Sequence, residues 1–203
     1  MPLLENEKDD KNRAEWLKLK DEIVHCQKCS LHQSRTYPVI GEGSHQAKVM
    51  FVGEAPGFNE DQTGHPFCGA AGQVLNDLLE KINLLRTEVY ICNVLKCRPP
   101  QNRDPQKEEI EACSPYLDRQ ISLIQPKIIC PLGNYSSAYI LEKYGLKSVV
   151  QGISKIHGQV FEVKTLFSTL KIIPLYHPAV ATYNPKTKTI LENDFKVLQK
   201  TLG

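Results

Sequence analysis

Three polar residues stand where short apolar runs end: Glu54 after KVMFVG, Asn93 after EVYIC and His177 after LKIIPLY. A carboxylate can hold or deprotonate water, a carboxamide presents an acceptor beside donors, and an imidazole exchanges a proton near neutral pH. Such groups do chemistry together only where a fold gathers them. A fourth apolar run, KIICP, ends on Leu132-Gly133 and brings no reactive side chain.

Around Glu54 the chain reads GEAPGFNEDQTGHPFCGAAG, residues 53 to 72, which holds five of the twelve glycines. Glycine at this density lets a backbone come close to a ligand. The stretch lacks the Gly-Lys-Ser/Thr ending of a phosphate-binding loop and the GxGxxG spacing of a dinucleotide fold. Glu60, Asp61, His65 and Phe67 lie among the glycines; Phe67 offers an aromatic face, and His65 is expected at the surface.

The seven cysteines carry a second pattern. Cys26 and Cys29 form a CxxC, and fifteen residues separate Cys97 from Cys113. Four thiolates can hold one zinc ion or an iron–sulfur cluster, and the wide second gap departs from the compact knuckles of zinc ribbons. Two other readings stay open from spacing alone. The CxxC could be a redox dithiol, although it follows a helix instead of opening one, and Cys113 could be a small core residue in register with Ile110, Leu117 and Ile121. Cys68, Cys92 and Cys130 read as structural.

The elements that must position these groups follow from periodicity. Residues 5 to 25 are predicted helical, with Trp16, Leu19 and Ile23 and the neighbouring Leu17 and Val24 as an apolar stripe. The segment from 26 to 47 reads as irregular. Residues 48–54, 88–94, 127–133 and 170–178 are predicted strands, each buried on both faces. Helical patterns cover 70–85, 105–124 and 135–144, with Asp104-Pro105 as N-cap and first-turn pair. An extra strand at 159–163 and a closing helix at 190–202 complete the series, and no internal repeat or low-complexity tract is present. Alternation of strand and helix implies a parallel sheet covered on both sides, and ligands of such sheets bind beyond the carboxyl ends of the strands. One site collecting Glu54, Asn93 and His177 follows.

At 203 residues, with 41% hydrophobic and 24% charged side chains, the chain suits one globular domain. No apolar run of about 18 residues could span a membrane. The acidic, polar start MPLLENEKDDKNRAEW does not resemble a secretory signal, so an intracellular, cytoplasmic location is expected. Net charge is only +2, but residues 123–203 hold ten lysines against four acids. That basic segment could follow phosphates or simply be solvated helix faces.

The CxxC after an N-terminal helix, VGEAPG with ED downstream, GHPFCGAAG, NVLKCRPPQNRDP, the cysteine beyond it, LG at 132–133 and HPA at 177–179 form an ordered set. In that order, over nearly the whole chain, they resemble the iron–sulfur uracil-DNA glycosylases of family 4. The resemblance implies an α/β fold, a three-layer α/β/α sandwich around a four-stranded, mostly parallel sheet. It implies a single domain over residues 1–203, with the helix and CxxC segment, 1–47, packed on it through a [4Fe–4S] cluster held by Cys26, Cys29, Cys97 and Cys113.

It further implies removal of uracil from single- and double-stranded DNA, leaving an abasic site. Gly53, Glu54, Ala55, Glu60, Phe67, Asn93 and His177 would receive the flipped base: Phe67 stacking, Asn93 reading O4 and N3–H, Glu60 standing at C5 against thymine, His177 stabilising the departing uracil anion. Glu54 is the nearest candidate to position the attacking water, since the carboxylate of the better-known first family is replaced here by Ala55. No lysine joins the set as a Schiff-base nucleophile. Cys68 replaces the commoner valine of PFVG, and Val180 or Tyr183 follows HPA as a candidate wedge in place of leucine or arginine. Expected partners are uracil-containing DNA of the nucleoid and, as a further candidate, a sliding clamp, with no membrane and a monomeric state. The rival readings are a metal-stabilised nucleic-acid-binding module without catalysis and a glycosylase of broader base range.

Overall fold

A computed structural model describes residues 2–164 and 169–203, with side chains from residue 12 onward except those of 183, 185 and 186. Among the described residues, six strands form one sheet: β1 (Glu42–Gly43), β2 (Val49–Gly53), β3 (Tyr90–Asn93), β4 (Ile128–Pro131), β5 (Phe161–Lys164) and β6 (Thr169–Ile172). Their order is β1-β3-β2-β4-β6-β5. The four predicted strands are the parallel centre, and the four-stranded expectation is corrected by two antiparallel edges, β1 on β3 and β5 on β6. β5 lies close to the extra strand read at 159–163. β1 has no apolar run to announce it; it is two residues long, and Gly43, at φ +115°, packs so tightly on the Val89 carbonyl that no side chain fits.

Helices cover both faces: α1 (Pro2–Val24), α2 (Phe58–Thr63), α3 (Ala70–Lys81), α4 (Lys107–Ile124), α5 (Asn134–Lys143), α6 (Ile153–Ile156), α7 (Val180–Tyr183) and α8 (Pro185–Leu202). Alternate strand residues face opposite layers. Met50, Val52, Tyr90, Cys92 and Ile129 pack with Trp16, Leu19 and Ile23 of α1, Leu117 and Ile121 of α4, and Ile140 of α5. Val49, Phe51, Ile91, Ile128 and Cys130 pack with Leu75, Leu78 and Leu79 of α3 and Leu191, Phe195 and Leu198 of α8. The expected three layers are present, and burial on both faces explains why the strands read as unbroken apolar runs.

Two local expectations change. Leu17 is 62% exposed and Val24 38%, because each lies one residue, about 100° of helix, beyond the stripe set by Trp16 and Ile23. The fourth helix starts at Lys107, not at Pro105. Glu109 accepts the Gln106 N–H at 2.8 Å, closing a capping box there, while Arg103 grips both its oxygens at 2.9 and 2.6 Å. Asp104, freed from capping, accepts the Tyr135 hydroxyl at 2.6 Å.

Candidate active site and cysteine cavity

The carboxyl ends of β2, β3 and β6 open onto one cleft of ≈ 360 Å³, lined by Glu54, Ala55, Pro56, Gly57, Glu60, Phe67, Ala71, Asn93, Pro99, Asn102, Arg103, His177 and Ala179. Sheet register puts Gly53 opposite Asn93. A side chain at 53 would run into the Asn93 amide oxygen and stand 2.9 Å from the Phe67 ring, so glycine here is what lets these two side chains meet over the strand end. Asn93 is 2% exposed. Loop closure is fixed by backbone bonds from Val94 to Gly53 and from Leu95 to Glu54, at 2.9 and 3.0 Å.

Phe67 takes a left-handed conformation, φ +49°, which is unusual and costly for a bulky residue. Gly72 makes room for its carbonyl at the start of α3. The strained turn points the ring between Gly53 and His177, with the imidazole 5.5 Å away between ring centroids and 29° from parallel.

His177 accepts the Ala179 N–H at its own Nδ1, 3.2 Å away. An accepting Nδ1 leaves the ring proton on Nε2. Burial lowers the pKa to about 4 against a weaker opposing pull from Glu60, so the ring is neutral at physiological pH. Glu54 is shifted the other way, to about 7, by burial first and then by the charge of Asp104.

Glu60 lines the cleft, yet its carboxylate is engaged elsewhere. One oxygen accepts the Gly57 N–H at 3.1 Å, and the other accepts those of Cys68 and Gly69 at 3.1 and 3.3 Å. It therefore ties the Pro56-Gly57 turn to the Phe67 turn. Asp61 holds the segment before β1, accepting the Thr36 N–H at 3.0 Å. His65 is exposed, as expected, and pairs with Glu42 at 3.0 Å. Asn102 and Arg103 reach the cleft without having been singled out; they sit in the NR of NVLKCRPPQNRDP. Val180 is half-buried against the α3 layer, and the side chain of Tyr183, the other candidate wedge, lies outside the described residues.

The second pattern converges too. Cys26, Cys29, Cys97 and Cys113 line one cavity with Ile23, Leu31, Arg35, Lys96 and Tyr116. They arrive from the turn after α1, the loop after β3 and the middle of α4. Arg35 donates to the Cys97 sulfur and the Lys96 backbone N–H to that of Cys113, each at 3.2 Å. Burial raises the pKa of the Cys29 and Cys97 thiols against the lowering pull of Arg35, and that of Cys113 to about 12. Among the described residues, no three His, Cys, Asp or Glu side chains stand at the separations kept by ligands of a single ion. Cys92 and Cys130 are buried within β3 and β4, whereas Cys68 is exposed.

Residues 40–199 match the family model of the uracil DNA glycosylase superfamily. A type-4 uracil-DNA glycosylase of Sulfurisphaera tokodaii is 50% identical over 90% of this chain and 83% of its own length. Proteins of the same name from Archaeoglobus fulgidus and Thermotoga maritima are 45% and 40% identical, over 90% and 85% of this chain and 90% and 86% of theirs. The chain belongs to the uracil DNA glycosylase superfamily and, within it, to the type-4 enzymes.

Proposed function

We propose that this enzyme removes uracil from DNA by hydrolysing its N-glycosidic bond, and that the cleft at the ends of β2, β3 and β6 does the work. The observation that carries the assignment is the joining of Asn93, Phe67 and a neutral His177 around Gly53 in a chain of this family.

A base inside a duplex must be flipped out to be cut. Phe67 would take the flipped ring on its face, a contact worth about 1–3 kcal/mol. The Asn93 carboxamide would donate to uracil O4 and accept from N3–H, a pattern that cytosine opposes at both points. The frame held by Glu60 would stand against C5, where thymine carries a methyl. Bond breaking puts positive charge on the sugar and negative charge on the base. The Nε2–H of His177, neutral at working pH, would donate to uracil O2 as that charge develops. Glu54, half ionised near pH 7, would hold the water and face the sugar cation. Ala55 brings backbone and no carboxylate. Among the described residues lining the cleft there is no lysine, so the product would be an abasic site without strand scission.

Four cysteines around one cavity, with hydrogen bonds donated to two of the sulfurs, suit a [4Fe–4S] cluster held by Cys26, Cys29, Cys97 and Cys113. When bound, it would supply iron–thiolate bonds that join the 1–47 segment to the rest of a single domain, 1–203. We assign the monomer to the cytoplasm, acting on nucleoid DNA, with a sliding clamp as a candidate partner. The assay is direct: a uracil-containing oligonucleotide incubated with the protein and then treated with alkali should break at the uracil, and DNA left intact by stoichiometric enzyme would overturn the proposal.

A further inference from the structure

Lys96 takes no part in the chemistry above, yet it is 1% exposed, and a buried amine is costly unless its donors are bonded. Its Nζ donates to the Asn93 carbonyl and to Gln120 Oε1, both at 2.7 Å. Gln120, itself fully buried, passes its Nε2 donors to the Ile40 carbonyl at 2.8 Å and the Tyr90 hydroxyl at 3.0 Å. The backbone of the same lysine donates to Cys113 sulfur and accepts the Val39 N–H at 2.7 Å. One residue thus spans from the cysteine cavity to the last peptide of β3.

That peptide matters because β3 ends at Asn93. Gly53 and Asn93 are the final register pair, and beyond them the backbone bonds of Val94 and Leu95 to Gly53 and Glu54 hold the two segments together. The peptide that follows Asn93 is held on both sides, its N–H on the Gly53 carbonyl at 2.9 Å and its carbonyl on Lys96 Nζ, and its plane bears on the direction of the Asn93 side chain. A misplacement of about 1 Å in a reacting complex can cost about 100-fold in rate. We propose that Lys96 is a positioning residue for base recognition, holding Asn93 in register with the uracil edge through its carbonyl. This rests on the reading of Asn93 as the uracil reader.

The test compares two duplexes that differ only at the lesion: one with 2′-fluoro-deoxyuridine, whose fluorine blocks cleavage, and one with a tetrahydrofuran abasic analogue. Lys96→Met should weaken binding of the fluorouridine duplex by about tenfold, the loss expected when one hydrogen bond between Asn93 and the base is misaimed. Binding of the abasic duplex and iron content should match wild type, and Lys96→Arg, which keeps donors, should recover part of the preference. Equal weakening on both duplexes, or none on either, would overturn the inference. Should Lys96→Met fail to fold, Gln120→Met removes the second anchor of the amine and should lower the same preference; an unchanged preference there overturns the role. Failure of both to fold would assign the network to stability alone and also overturn it. A wild-type protein with no preference for the fluorouridine duplex would instead overturn the reading of Asn93, and this inference with it.

Discussion

Burial favours the neutral form of both Glu54 and His177, and so moves their pKa values apart from their ordinary order: the carboxyl to about 7, the imidazole to about 4. Only Glu54 therefore changes charge near neutrality. If its carboxylate holds the water, single-turnover uracil release should rise with pH through about 7 and then level, with no second inflection from His177. Glu54→Gln should abolish that rise and slow the reaction across the range. The same shift has a stability consequence of known sign. The folded chain keeps the Glu54 proton up to about 7, while the unfolded chain releases it near 4.5, so this group costs stability as pH rises through that window. Glu54→Gln should accordingly unfold at a higher temperature than wild type in mildly alkaline buffer, measured by calorimetry. These residues were legible in the sequence because each ends an apolar run. The conformation of Phe67 was not, since no local pattern predicts φ +49° in a phenylalanine.

At the scale of elements, the four parallel strands were legible from their two-face burial, and the edge strand at residues 42–43 was not, having no apolar side chain to bury. The fourth helix was misplaced by two residues because Asp-Pro is a good local start, and the Glu109 capping box with its Arg103 clamp won. Glu60 acts at this scale too, its carboxylate accepting backbone N–H groups from both the Gly57 and the Cys68-Gly69 turns. Glu60→Gln turns one end of the side chain into a donor facing backbone N–H groups. Leaving such a group unsatisfied costs about 1–3 kcal/mol, and each kcal/mol is worth about 2–4 °C in a chain of this size. A melting temperature equal to wild type would show that the three backbone bonds to Glu60 do not hold the loop.

For the whole molecule, charge counted along the chain does not map onto the cleft. Lys171 lies opposite Ile128 at the amino ends of the strands, and Lys127 adjoins it there. Lys143 closes the far end of α5 in a 2.9 Å pair with Asp118. Lys196 and Lys200 flank Gln199, which donates to Ile82 past the end of α3. Lys188 lies in the first turn of α8, which α7 joins to the segment carrying His177. Lys188→Ala should weaken duplex binding and lower the salt slope by about 1, whereas Lys127→Ala and Lys171→Ala should leave both unchanged, as read by titrations at several salt concentrations. The cysteine cavity makes a separate demand. If Cys113 holds the proposed cluster, Cys113→Ala should lose the brown iron–sulfur absorbance and bound iron and melt about 10 °C or more below wild type, since a structural metal centre contributes folding energy outright; full iron content would remove Cys113 from the ligand set.

The most direct measurement is a crystal structure of the protein with uracil. The base should lie in the cleft above Gly53, its ring against Phe67, its N3 and O4 on the Asn93 carboxamide, and His177 Nε2 at O2. Uracil bound away from this cleft, or within it but with Asn93 turned from its edge, would contradict the account.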